Sequence, residues 1–215
     1  MEDSNPISAR AQSPTHSLRR VLLLGVVWSL VIGHSTYFRH SSFVISRRVL
    51  RSHDVTSTMP PKYLFDISTI NLDSLLFNQE QVRAANPQRG DMEQLNGIVW
   101  ADPAAGHIIG FKDVRPDEFW VSGHIPGRPL LPGVLMIESG AQLASFYTRT
   151  YVGWKGFIGF GGVDEVKFRM QVPPGVRMYI LGKKIWERHH RIYCNVQGIV
   201  NGNLAFEAGI TGTEF

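Results

Sequence analysis

Gly123-His124-Ile125-Pro126-Gly127-Arg128-Pro129-Leu130-Leu131-Pro132-Gly133-Val134-Leu135-Met136-Ile137-Glu138-Ser139-Gly140-Ala141-Gln142 decides the fold of this 215-residue chain. Its first ten residues hold two glycines and three prolines, so they form a loop of fixed shape rather than a flexible one. Pro132 then suits the start of a helix, where its missing N–H would be unpaired anyway. From there Val134, Leu135, Met136, Ile137, Ala141, Leu143, Ala144, Phe146 and Tyr147 put apolar side chains around nearly the whole circumference. Such a helix is buried.

Downstream of this helix the sequence reads as strand. Runs 157–169, 176–188, 191–199 and 203–213 are separated by Pro173-Pro174-Gly175, His189-His190 and Asn201-Gly202. The last is a strong hairpin signal, although the 177–186 and 191–199 runs alternate only loosely. Upstream, strands are expected at 97–101 and 107–112 around an Asp102–Gly106 turn, and a third at 118–122. Asp73 is expected to cap a short helix carrying Leu75, Leu76 and Val82 and ending before Pro87. The result is an α+β domain over residues 59–215, an antiparallel sheet against one long hydrophobic helix.

Residues 1–58 differ in kind. They hold seven arginines against three carboxylates, so the whole net charge of +4 sits there and the remaining 15 basic and 15 acidic residues cancel. The domain therefore lacks the electrostatic footprint of a nucleic-acid binder. The apolar run Val21–Gly33 follows Arg19-Arg20 but is too short to span a bilayer comfortably; it has the look of a secretory or transit segment. We read 1–58 as a leader (non-native, disordered or targeting) ahead of a start at Met59. One cysteine, Cys194, excludes an intrachain disulfide. A reducing, cytoplasmic setting is expected, with targeting or anchoring as the alternative if residues 1–58 are native.

Three features of the quoted stretch bear on chemistry. Glu138 is a carboxylate in an otherwise apolar helix, and burying it unpaired would be costly. Gln142, four residues on and on the same face, is placed to hydrogen-bond and orient it. His124 is held in the rigid loop. The N–H groups of Gly133 and Val134 open the helix at the positive end of its dipole, where a carbonyl is polarised or an oxyanion held. An acid, a base and an oxyanion site suit proton abstraction next to a carbonyl. The pair His189-His190 reads as a solvated turn, and His107 opens a strand without an evident partner.

The stretch closely resembles the pattern G-H-F-P-x-x-P-x-x-P-G-V-L-x-x-E-x-x-A-Q of the bacterial (3R)-hydroxyacyl-[acyl-carrier-protein] dehydratases. A second block, Phe160-Gly161-Gly162-Val163-Asp164-Glu165-Val166-Lys167-Phe168-Arg169 followed by Val172-Pro173-Pro174-Gly175, is similar to that family's F-A-G-I-D-x-x-K-F-R-x-x-V-x-P-G-D. The resemblance implies a hotdog fold and a homodimer, often a trimer of dimers, in which each site takes its His from one subunit and its Glu from the other. It implies elimination of water from a (3R)-3-hydroxyacyl thioester to a trans-2-enoyl thioester. In that reaction His124 removes the C2 proton, Glu138 protonates or assists the departing hydroxyl, and the Gly133 N–H holds the thioester carbonyl. Val134 lies beside that carbonyl site, Phe160 walls an acyl tunnel, and no metal, nucleotide or flavin is needed. The partner implied is an acyl carrier protein bearing a phosphopantetheine-linked chain, with Arg128, Lys167 and Arg169 as docking candidates; no nucleic acid or membrane partner is expected.

The sequence departs from the family pattern in places. The usual upstream element, L-P-H-R-x-P-F-L-L-V-D-R, is matched here by Asn86-Pro87-Gln88-Arg89-Gly90-Asp91-Met92-Glu93-Gln94-Leu95-Asn96, where only Pro87 and Arg89 persist clearly. Ile125 replaces a common Phe, and Ser139-Gly140 is smaller than usual. Two rival readings are a hotdog acyl thioesterase, which would not need the His124/Glu138 pair, and a non-catalytic acyl-binding hotdog protein, against which retention of both residues argues.

Overall fold

The computed structural model describes residues 62–215; the leader 1–58 and the proposed start at Met59 lie outside them. Helix α1 spans Gln79–Ala85 and strands β1 and β2 span Gly97–Asp102 and His107–Val114. Helix α2 spans Gly133–Tyr147 and runs on into a π turn, Thr148–Val152, closed by Gly153 at φ 90°. Strands β3–β6 span Ile158–Phe168, Val176–Arg188, Arg191–Val200 and Asn203–Glu214. All neighbours pair antiparallel in the order β1-β2-β4-β5-β6-β3. One long helix against a six-stranded antiparallel sheet is the α+β hotdog arrangement that the resemblance implied.

Side chains alternate across a strand, and here both faces are covered. Ile108, Met178, Ile180, Val196, Phe206 and Ile210 pack against Leu135, Met136, Leu143 and Phe146 of α2. Their neighbours Ile109, Phe111, Leu181, Ile199 and Leu204 face the other way, under Tyr63, Leu64, Phe65, Ile67, Ile70 and Leu72. The stretch Lys62–Leu72 straps over this second face. Leu64 N–H donates to Gln197 Oε1 at 2.9 Å, Gln197 Nε2 donates to Lys62 O at 3.2 Å, and Phe65 stacks on His107 at 4.2 Å. The strap explains why the strands alternate only loosely, since neither face is left to water. It also supplies the partner that His107 lacked.

Small residues let α2 lie close to the sheet. A Cβ on Gly140 would stand 2.8 Å from Val196 Cγ2, closer than real side chains approach. The departure at Ser139-Gly140 is therefore a packing feature, with Ser139 Oγ satisfied internally by Met136 O at 2.7 Å.

Three local expectations need correction. The short helix is capped by Asn78, not Asp73, through a reciprocal box with Gln81. Leu75 and Leu76 precede it, where Leu76 and Phe77 N–H donate to Ile98 O. Residues 118–122 form successive turns rather than a strand: Val121 N–H returns to Glu118 O and Gly123 N–H to Trp120 O. Finally, α2 is not buried all round within one chain. Val134 is 71% exposed, and Ile137, Glu138 and Ala141 are only partly buried. Among the described residues no helix is long and apolar enough to cross a membrane.

Candidate active site

The loop that carries His124 is built on a buried polar latch. Lys112 of β2, 3% exposed, pairs with Glu118 Oε2 at 2.8 Å. The same carboxylate accepts from the Trp120 indole at 2.9 Å, and its other oxygen accepts from the Arg115 N–H at 2.8 Å. Burial alone would raise the Glu118 carboxyl, but Lys112, the Arg115 N–H and the indole together hold it below its ordinary range. Burial holds the Lys112 ammonium below its usual range even with Glu118 beside it. The pair is thus a costly, specific contact rather than a source of net stability.

Trp120 so fixed holds the next turn, its carbonyl accepting from His124 N–H at 2.8 Å. The imidazole is anchored in turn: His124 Nδ1 lies 2.8 Å from Leu130 O. A carbonyl oxygen can only accept, so Nδ1 carries the hydrogen and neutral His124 keeps its lone pair on Nε2. The ring is exposed, and the His124–Ile125 peptide is cis. Leu130 N–H returns to His124 O and Leu131 N–H pairs with Val172 O, so the loop leads directly into α2.

The helix start is bare, as expected. Pro132 is the cap residue and offers no side-chain acceptor, and the N–H groups of Gly133 and Val134 precede the first helical hydrogen bonds. A Cβ at Gly133 would lie 2.6 Å from the Phe168 ring, so only glycine fits beneath this aromatic side chain.

Glu138 lies one helical turn further. Its Oε1 accepts from Gln142 Nε2 at 2.7 Å. Gln142, 2% exposed, is itself fully engaged: Nε2 also donates to Met92 O at 2.7 Å and Oε1 accepts from Gln94 N–H at 2.9 Å. Glu138 is half-buried and opens onto a cavity of about 230 Å³. Phe157, Ile158, Gly159 and Phe160 of the β3 end and Ile192, Ile210 and Gly212 of β5 and β6 form its largely apolar far wall, opposite α2 and Pro87-Gln88.

Of the residues singled out from the sequence, Glu138, Gln142 and Phe160 come together around or behind this cavity. His124 and the Gly133/Val134 N–H groups cluster at the other approach to the helix, and His124 does not line the cavity. Two of the docking candidates, Lys167 (3.6 Å) and Arg169, share one carboxylate, Glu207, while Arg128 Nη2 donates to Gln171 Oε1 at 2.7 Å. His189 and His190 sit in the exposed turn expected for them, although His190 Nδ1 also meets Glu214 Oε2 at 3.0 Å. Sequence reasoning passed over the latch and Gln88, which lines the same cavity as Glu138. A lysine six residues before a glutamate carries no spacing signal for a pair across a strand and a turn.

Comparison with known proteins bears on family and fold. The family model described as FabA-like domain matches residues 86–209. The curated protein "3-hydroxyacyl-[acyl-carrier-protein] dehydratase FabZ" of Desulfotalea psychrophila is 33% identical over 125 residues, 57% of this chain and 83% of that protein. The protein of the same name from Moorella thermoacetica is 32% identical over 113 residues, 49% of this chain and 79% of its own. Among solved structures, the dehydratase heterocomplex ApeI:P from Xenorhabdus doucetiae superposes with a TM-score of 0.53 at 14% identity, covering 62% of this chain and 90% of that one. Cj0977, a sigma28-regulated virulence protein from Campylobacter jejuni, superposes with 0.50 at 14%, covering 63% and 89%. At those identities the structural likeness speaks for the fold alone. The matched span takes in β1 through most of β6 together with the loop, the helix and most of the cavity lining just described, and the chain belongs to the FabA-like family.

Proposed function

We propose that this protein removes water from (3R)-3-hydroxyacyl groups carried as thioesters on an acyl carrier protein, giving trans-2-enoyl thioesters for fatty acid or related lipid synthesis. The observation that carries this reading is the matched preparation of two groups. His124 is locked with Nε2 as its free lone pair, and Glu138 is locked through Oε1 beside an apolar cavity. The sequence likeness to proteins named as such dehydratases supports the substrate class.

In the reaction the C2–H bond breaks and its proton passes to His124 Nε2, the electron pair forming the C2=C3 bond. The C3–O bond breaks with its pair on oxygen, which takes a proton from Glu138 and leaves as water. Glu138 Oε1 accepts an amide hydrogen, so Oε2 is the oxygen that carries the acidic proton. Charge that builds on the thioester oxygen is met by the Gly133 N–H at the positive end of α2. The site is left with protonated His124 and ionised Glu138, and return of one proton from the first to the second resets it.

The complete site takes two copies of the chain. Within one chain His124 does not line the cavity that Glu138 opens onto, while Val134 is exposed, Ile137 and Ala141 are only partly buried, and β3 is a sheet edge with Phe160, Val163 and Phe168 exposed. A homodimer joins these surfaces and brings His124 of one protomer to Glu138 of the other. The test is complementation. His124→Ala and Glu138→Gln each abolish turnover, and mixing the two after dissociation restores up to about one quarter of wild-type activity, the share of sites rebuilt in a random mixture. Activity in either single variant, or a mixture that stays inactive while heterodimers form, would contradict the reading.

A further inference from the structure

Gln88 stands where the family pattern commonly places a histidine, and the mechanism above does not use it. Its side chain lines the cavity with Glu138, and its Nε2 lies 3.4 Å from Glu138 Oε1. Its own amide oxygen is shut off from solvent and has no hydrogen-bond partner. We propose that Gln88 is a further catalytic residue, an amide N–H donor to the oxygen that departs from C3. The proposal deepens the dehydratase reading and rests on it.

The orientation of the amide follows from its neighbour. Turned the other way, its oxygen would set lone pairs against those of Glu138 Oε1, so the nitrogen faces the carboxyl group. That choice leaves the oxygen dry and unpartnered, an arrangement that costs stability. A glutamine free to serve its own hydrogen bonds would swing into water instead. The backbone that carries it is itself held in place. Arg89 Nη1 donates to Asn86 O at 2.8 Å and to Gln88 O at 2.6 Å, and Asn86 Nδ2 donates to Gln142 O at 2.9 Å. Residues 86–89 are thereby bolted to α2 one turn beyond Glu138.

An amide nitrogen has two hydrogens. Glu138 takes one, at a stretched distance, and the second is available to a ligand oxygen in the same cavity. As the C3–O bond lengthens, that oxygen gains negative charge before the Glu138 proton reaches it. A donor aimed there stabilises the transition state more than the ground state. Gln88 moves no proton itself. Its amide does not titrate, so its contribution does not vary across the working pH range.

The test compares Gln88→Leu and Gln88→His with wild type on a 3-hydroxyacyl thioester of the carrier protein, together with binding of the enoyl product, which lacks the C3 oxygen. Gln88→Leu should lower kcat on the order of 10-fold to 100-fold, below the loss for a main oxyanion donor. KM and enoyl affinity should stay within about twofold of wild type. Gln88→His, which restores an N–H donor, should recover at least about a third of wild-type kcat. Wild-type kcat in Gln88→Leu, or equal loss of turnover and enoyl binding, overturns the proposal and leaves the dehydratase reading intact. Wild-type protein that forms no enoyl product overturns both. Should Gln88→Leu lose its cooperative thermal transition, Gln88→Met, which keeps the side-chain length, is read in its place.

Discussion

Replacing Gln142 by leucine tests whether Glu138 is a placed acid or merely a helix residue beside a cavity. The substitution conserves bulk and removes three hydrogen bonds at once: those to Glu138 Oε1, Met92 O and the Gln94 N–H. These losses are unequal. Met92 is 46% exposed, so its carbonyl can take water, whereas Gln94 is 1% exposed and its N–H is left without an acceptor. One stranded buried donor costs about 1–3 kcal/mol, and the lost contact to Glu138 adds about 1 kcal/mol. The sum, about 2–4 kcal/mol, corresponds to a fall in Tm on the order of 10 °C for a domain of this size. Glu138 then keeps only the 3.4 Å contact from Gln88, and misplacement of a catalytic group by about 1 Å costs up to about 100-fold in rate. Thermal unfolding followed by circular dichroism, with kcat measured well below the transition, reads both effects. Gln142→Glu would set a buried carboxyl group against Glu138 and the Met92 carbonyl, so it should recover neither the Tm nor the activity. If Gln142→Leu lowered Tm while kcat stayed at the wild-type value, the claim that Gln142 orients the acid would be refuted.

Other outcomes follow from separate parts of the molecule. Glu118→Gln leaves the Lys112 ammonium buried without its counter-charge and should destabilise by about 3–5 kcal/mol, visible in chemical denaturation, while Lys112→Met/Glu118→Leu together should cost less. Because Glu118 is held below its ordinary 4.5 when folded, its contribution is full above about pH 4.5 and is lost as pH falls through the folded value. Wild type should therefore lose stability more steeply than Glu118→Gln in an acid titration below that pH. Burial pushes the Cys194 thiol up to about 12, so a thiol-exchange reagent should label the folded protein negligibly and the unfolded protein with one equivalent. Phe160→Ala should shift the preferred acyl chain to longer lengths in a substrate series, because Phe160 walls the cavity.

Legibility in the sequence followed range along the chain. The long helix and the Asn201-Gly202 hairpin were legible because each rests on local periodicity or local turn chemistry. The strap Lys62–Leu72 was not, because its role depends on meeting Gln197 and His107 far along the chain. The loose alternation of β4 and β5 reads as a weak strand signal until that strap is seen covering the second face. Likewise Asp73 and Asn78 are both good caps, and only the pairing of Leu76 and Phe77 with Ile98 pushes the helix start to the second. In the site, His124, Gly133, Glu138 and Gln142 fall within twenty residues and were visible together. Gln88 and the Lys112–Glu118 latch reach it from other elements, and tertiary packing alone brings them there.

The most direct test of the account is a single reaction: purified protein with a (3R)-3-hydroxyacyl thioester of the carrier protein, followed at once by enoyl absorbance and by a free-thiol reagent. The account predicts rising enoyl absorbance with no thiol released. Thiol release without enoyl formation would contradict it and make the protein a thioesterase on the same fold.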